Sequence, residues 1–199
     1  MKRFLAAWLL VGVSSPALVC AADAAVAPAW IDEGRQLAQQ LGGQLKAELG
    51  RAMSSGGPVA AIAVCKTRAP EIAAQLSKDS GAIVGRTALR VRNPANAPDA
   101  LERALLEQFS GELASGRFTG PLEAAFEINR GGQVERHYMR AIPTDPLCLT
   151  CHGSALAPEV ATAIARDYPD DQATGFEAGD LRGAFSVAWP PTPALPSTP

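Results

Sequence analysis

Apolar residues repeat at three- and four-residue steps through the first long segment of the chain, residues 32–53. This spacing places them on one face of an amphipathic helix. The Gly-Gly-Pro run at 56–58 ends that helix, and its proline suits the first turn of a second helix over 59–65. Pro70 is expected to restart the chain as a third helix over 71–78. The apolar positions of the first helix are Leu37, Ala38, Leu41, Leu45, Leu49 and Ala52.

Strand patterns dominate the second half of the chain. Residues 122–129 and 134–142 flank Gly131-Gly132, which predicts a β-hairpin. Helices first, followed by strands with helical inserts, predict an α+β domain with a small antiparallel sheet. The remaining predicted elements are a strand over 82–91, a turn-rich loop over 92–98, a helix over 100–108 capped by Asp99, a helix over 158–166 and a final strand over 183–189.

The amino terminus has the pattern of a secretory signal peptide. A basic start is followed by a short apolar run and small residues, which predicts a cleaved signal over 1–22. Cleavage there would remove Cys20, whereas a lipoprotein would keep Cys20 as its acylated first residue. No segment is long and apolar enough to span a bilayer. We therefore expect a periplasmic protein without a membrane span.

Length and charge predict one ordinary globular domain. The chain has 199 residues and a formal net charge of −2. The absence of a basic run argues against nucleic acid and anionic lipid as partners. We expect a single domain over 30–189 and a proline-rich, disordered tail over 190–199. The long first helix offers a surface on which a homodimer could form.

The most informative motif is Cys148-Leu-Thr-Cys151-His152. Two thiols one helical turn apart can each add to a haem vinyl group, and the next residue then supplies an imidazole to the iron. A thioredoxin-type redox pair, half of a zinc site and a plain disulfide are the alternatives. Zinc would need four ligands, and the exported chain would add only Cys65 and His137. The motif therefore favours one c-type haem.

The second axial ligand of that haem has four candidates: Cys65, His137, Met53 and Met139. A lone thiol in an oxidising compartment is a liability unless it is buried or bound. Cys65 is therefore either a buried structural cysteine or a thiolate ligand, which would favour ferric iron and a low reduction potential. His137 is expected at the sheet surface, and the two methionines are expected in core or edge packing.

Four segments make the chain similar to a family of exported c-type haem domains with a PAS-like fold. The segments are 63–73 around Cys65, 84–98, 140–153 around the haem motif, and 168–187. The resemblance implies a five-stranded antiparallel PAS-like sheet with flanking helices and one covalently bound haem c. It also implies His152 and Cys65 as the axial ligands.

The arginines before the turn-rich loop have two interpretations. Arg86 could anchor a haem propionate, because the guanidinium fork suits carboxylates. Arg90 and Arg92 are expected to be solvated, and Arg182 is expected to help fix a turn before the last strand.

The expected function is a redox sensor, which could also respond to a gas, or a partner of a signalling protein. The alternative is a periplasmic electron-transfer cytochrome with a redox protein partner. Enzymatic turnover is not expected, because both axial positions are filled.

Overall fold

The computed structural model describes residues 27–116 and 120–193. Cys20 and the rest of the predicted signal peptide, residues 1–22, lie outside this part of the chain. No helix within the described ranges is long and apolar enough to cross a membrane. The helices are α1 (Ala29–Ser80), α2 (Ala100–Ala114), α3 (Leu149–His152) and α4 (Pro158–Asp167), and the strands are β1 (Ile83–Thr87), β2 (Glu123–Arg130), β3 (Gln133–Pro143) and β4 (Leu181–Pro193).

The first helix is broken into two halves at Gly57. This residue has φ 68° and ψ −167°, a conformation that only glycine adopts readily. The halves fold back on each other, since Leu41 of the first half and Ile72 of the second share one core cluster. An ion pair of 3.6 Å between Glu48 and Arg68 also joins them. The predicted break at Gly-Gly-Pro is confirmed.

Pro70 does not restart a helix, so the boundary predicted there is wrong. The helix runs from Pro58 through Pro70 without interruption and ends at Ser80, where Gly81 takes a left-handed φ of 74°. Pro70 removes one hydrogen bond to the carbonyl of Lys66. That loss is tolerated because both Lys66 and Pro70 are exposed, so water can satisfy the carbonyl.

The sheet contains four antiparallel strands in the order β1-β4-β3-β2. Gly131 and Gly132 both have positive φ and form the tight turn of the β2–β3 hairpin, as predicted. The capping box that Asp99 and Glu102 form at the start of α2 also confirms the predicted start. The helix continues to Ala114, six residues beyond its predicted end.

The resemblance implied five strands, whereas the described part of the chain has four. The predicted strand over 82–91 shortens to β1, which ends at Thr87. Residues 94–96 form a 3₁₀ turn that Asn93 caps. The backbone N–H of Gln172 donates to the Val91 carbonyl at 2.8 Å. The segment after β1 therefore packs against a distant loop and does not add a strand.

The sheet lies between α1 and α2. Leu37, Leu41 and Tyr138 form a core on one face, and Phe109 and Met139 form a core on the other. Gly34 lets α1 approach the sheet closely, because a Cβ there would lie 2.7 Å from the Tyr138 ring. The packing confirms a mixed α+β fold with a small antiparallel sheet.

β4 extends to Pro193, four residues into the predicted disordered tail. Its pairing with β1 ends at Ala188, so beyond that point one side of β4 is an open edge within the described residues. Prolines are tolerated at such an edge because no ladder hydrogen bond is lost there. Residues 194–199 lie outside the described part of the chain.

Candidate functional site

The Cys-x-x-Cys-His motif follows directly on the end of β3. Residues Pro146–Cys148 form a 3₁₀ turn, and α3 adds one helical turn, Leu149–His152. This local helix brings Cys148 and Cys151, three residues apart, onto one face. Both are half-buried free thiols, so the alternative of a disulfide between them is wrong.

The His152 imidazole is held in one tautomer. Its Nδ1 lies 2.6 Å from the Ala173 carbonyl oxygen, which can only accept, so Nδ1 donates the proton. Burial lowers the pKa of His152 to about 3, and the nearby charges of Arg182 and Arg92 contribute to that shift. The ring is therefore neutral at physiological pH, and the lone pair is on Nε2, which faces the Arg182 guanidinium at 3.5 Å. A histidine that binds a metal through Nε2 needs this arrangement.

A buried ion pair supports the residues around His152. The Arg92 Nε lies 3.0 Å from the Asp171 Oδ1, and the two side chains are only 10% and 8% exposed. Arg92 Nη2 also donates to the carbonyls of Cys151 at 2.7 Å and Ala173 at 3.1 Å. Arg92 thus holds both the second motif cysteine and the carbonyl that orients His152. The prediction of a solvated Arg92 is wrong, because the loop after β1 folds back over the motif.

The loop before β4 closes over the same side of the site. Phe176 donates its backbone N–H to the His152 carbonyl at 2.9 Å, and Gly175 donates to the Gly153 carbonyl at 2.9 Å. The Asp171 carboxylate accepts from the Ala173 amide at 3.0 Å. Although burial opposes ionisation, this bond and those from Arg92 hold the pKa of Asp171 below its usual range. The imidazole is therefore fixed by main-chain contacts from two segments.

Cys65 lies on the second half of α1, so a different element from that of the motif carries it. Ile62, one turn earlier, shares a core cluster with Cys151 and with Val160 of α4. Burial raises the pKa of the Cys151 thiol, and the charge of a Cys65 thiolate adds to that rise. The fold thus brings Cys65 near the motif. Cys65 is exposed, which contradicts the alternative of a buried structural cysteine.

Tyr168 is buried at the end of α4, beside Cys65. Burial raises the pKa of Tyr168 to about 12, and the charge of a Cys65 thiolate contributes to the rise. The phenol therefore keeps its proton across the physiological range. Sequence reasoning gave Tyr168 no role, because only the fold places it next to Cys65.

Two further arginines lie at the site. Arg86 of β1 is half-buried, and burial lowers its pKa, while the charges of Cys65 and Tyr168 oppose that shift. Arg182 of β4 reaches the imidazole, with its Nε 3.5 Å from the His152 Nε2. The expectation that Arg182 only fixes a turn is therefore incomplete.

Arg90 is exposed as predicted, and its guanidinium stacks 4.2 Å from the Phe176 ring centroid.

The other candidate ligands lie within the fold as packing residues. His137 stacks on Phe126 with ring centroids 5.2 Å apart, and its Nε2 lies 3.7 Å from Glu135. Met139 is 1% exposed in the core between the sheet and α2. Met53 is half-buried on α1. Met139 therefore has the packing role that is predicted for it. His137, which is predicted at the sheet surface, lies on the sheet with a side chain that is only 19% exposed.

The donor set fits an iron porphyrin. It provides two thiols on one helical face, a neutral imidazole whose lone pair is on Nε2 and, on the second half of α1, an exposed thiol. Within residues 27–116 and 120–193, no cluster of three or more His, Cys, Asp and Glu side chains forms a protein-only metal site, which the zinc alternative would need.

Comparison with known proteins places the chain in a family. A search of curated proteins finds no match. The crystal structure of the cyanobacterial heme-protein Tll0287 is similar, with 30% sequence identity and a TM-score of 0.55, and the match covers 85% of this chain and 96% of that one. The model of the Tll0287-like family matches residues 21–190. The chain therefore belongs to the Tll0287-like family.

Proposed function

We propose that this chain is a periplasmic c-type haem protein that acts as a redox sensor or as a partner in signalling. In this proposal Cys148 and Cys151 each form a thioether to one haem, and His152 and Cys65 are the axial ligands on a PAS-like scaffold. The observation that carries the proposal is the fixed tautomer of His152 beside two free thiols on one helical turn. The similarity to the cyanobacterial protein Tll0287, which is itself a heme-protein, supports it.

Bound haem supplies one-electron chemistry between ferric and ferrous iron. His152 and Cys65 would then have different roles. His152 stays neutral and oriented, because Ala173 holds Nδ1 and Arg92 holds the loop. Cys65 would be the thiolate that favours ferric iron. On reduction an anionic ligand would be disfavoured, and the exposed Cys65 thiolate could take one proton from water and become a free thiol. Loss of Cys65 would release the second half of α1 or open a position for a gas.

Covalent attachment is the first test of the proposal. The protein is expressed in bacteria with and without a c-type haem maturation system, and attached haem is measured by mass and by its pyridine haemochrome. We expect one haem per chain, retained after denaturation, only with the maturation system. Replacing both Cys148 and Cys151 with serine should abolish attachment, whereas the control Cys65→Ser should keep it. A wild-type chain that leaves the maturing cell without haem would refute the proposal.

Electron transfer is the second candidate function, and the surface beside the motif favours it. Leu147 precedes Cys148 and is 58% exposed, and the motif cysteines are half-buried. An exposed apolar residue beside the haem edge suits brief docking of a redox protein. A carrier keeps the same ligands in both oxidation states, so fast, reversible voltammetry would favour this function over a switch. We propose no enzymatic turnover for either function.

A further inference from the structure

Three arginines from separate parts of the chain converge on one side of the candidate site. Arg86 lies on β1, Arg92 follows β1 in the loop, and Arg182 lies near the start of β4. They repel each other, since Arg92 and Arg86 both disfavour the charged form of Arg182. The Asp171 carboxylate faces this group, and Arg92 pairs with it at 3.0 Å.

Neither Arg86 nor Arg182 has a carboxylate partner within the described residues. Arg182 contacts the His152 Nε2 at 3.5 Å, the Arg90 carbonyl at 3.3 Å and the Phe176 ring at 5.4 Å from its centroid. Partly buried charges are normally paired, so two guanidiniums that lack a carboxylate partner at one site are suited to bind an anion. Haem carries two carboxylates.

We infer that Arg182, together with Arg86, binds the haem carboxylates, and that Arg182 caps the His152 Nε2 in the haem-free chain. The inference rests on the proposed function. Because Ala173 holds Nδ1, Nε2 is the nitrogen available to iron, and the guanidinium of Arg182 occupies that side of the ring. Haem binding therefore requires Arg182 to move away from the imidazole. Its long side chain then allows it to pair with a carboxylate without a change in the backbone.

Resonance Raman spectroscopy of the matured holoprotein tests the inference, because the propionate bending band reports hydrogen bonding to the haem carboxylates. We expect Arg182→Gln to shift this band and Arg182→Lys to shift it less. Arg90→Gln is the matched control, because Arg90 stacks on the same Phe176 but does not contact His152. It should leave the band unchanged. A propionate band in Arg182→Gln identical to that of the wild type, at equal haem content, would overturn the inference.

A failure to mature is also informative. If Arg182→Gln incorporates little haem, recovery in Arg182→Lys supports a charge-pairing role. Equal loss in both variants, with normal haem in Arg90→Gln, would contradict the inference and assign Arg182 to folding. Absence of covalent haem from the wild type is a different result, because it refutes the proposed function itself.

Discussion

The two sides of the candidate site are built differently. We call them the restrained wall, which carries His152, and the Cys65 wall, which is the second half of α1. His152 is fixed through Ala173, the Arg92–Asp171 ion pair and the backbone of Phe176. Cys65 sits on an exposed helix face, and no hydrogen bond within the described residues holds its thiol. A restrained donor keeps its geometry when the iron changes charge, whereas an unrestrained one can exchange with solvent. A redox change should therefore act on the Cys65 side.

The largest difference between the two walls should appear when each proposed ligand is removed in turn. We expect His152→Ala to mature poorly and to lose six-coordinate, low-spin iron, because the substitution removes the imidazole that is proposed as a ligand. Cys65→Ala should keep covalent haem and the same fold. Haem content and the ferric absorption spectrum measure both effects. Equal haem loss in the two variants would show that the walls do not differ in this way.

Breaking the buried ion pair should loosen the restrained wall. Arg92→Gln leaves the Asp171 carboxylate buried without its partner, which should cost about 3–5 kcal/mol of unfolding free energy. In the holoprotein, Arg92→Gln should lower the reduction potential and Asp171→Asn should raise it, each by about 60 mV, roughly a tenfold change in a one-electron equilibrium. Chemical denaturation and voltammetry measure the two effects.

The matched control for that ion pair is Arg166→Gln. Arg166 pairs with Asp167 on the surface of α4, where its side chain is 65% exposed. Exposed pairs contribute little to stability, so the control should change the free energy of unfolding far less than Arg92→Gln does. Comparable losses in Arg92→Gln and Arg166→Gln would contradict the role assigned to Arg92.

Acid should weaken the restrained wall of the haem-free chain. The pKa of His152 is lowered to about 3 in the folded protein, below the value of about 6.5 in an unfolded chain. Between these values the unfolded state binds more protons, so stability falls as the pH drops below about 6.5. His152→Ala should remove this part of the pH dependence in urea denaturation. The same slope in His152→Ala and wild type would assign the dependence to other groups.

The break in α1 should give the smallest effect, and it concerns the wall that carries Cys65. Gly57→Ala forces a side chain into φ 68°, which should destabilise the fold by about 1–3 kcal/mol and disturb the placement of Cys65. Gly43→Ala is the control, because Gly43 is exposed on the same helix with open space at its Cβ. It should be neutral or stabilising. Thermal unfolding distinguishes the two variants.

Local signals allowed part of this molecule to be predicted. Gly57, the Asp99 cap and the Gly131-Gly132 turn act within a few residues, and the structure has all three features. The motif likewise predicts its own helical turn. Proline signals were less reliable. Pro70 stays within a helix, because water can satisfy the Lys66 carbonyl that lacks its helical hydrogen bond.

Long-range contacts could not be predicted from these signals. Arg92 and Asp171 lie 79 residues apart, and His152 finds the Ala173 carbonyl 21 residues away. Nothing in the sequence near Arg92 distinguishes it from Arg90, which is exposed. Only the folding of the loop after β1 across the motif separates the two arginines. The sequence therefore predicts His152 as a candidate ligand, but it does not predict the polar groups that hold its ring.

The most direct test of the difference between the walls is to record EPR and electronic spectra of the holoprotein and of Cys65→Ala, each in both oxidation states. Ligation by Cys65 predicts a low-spin ferric thiolate signature in the wild type that is absent from Cys65→Ala. The proposed switch predicts that reduction removes this signature and that reoxidation restores it. Ferric spectra that are the same in both proteins would contradict thiolate ligation by Cys65. A thiolate signature that persists in the reduced wild type would contradict the switch.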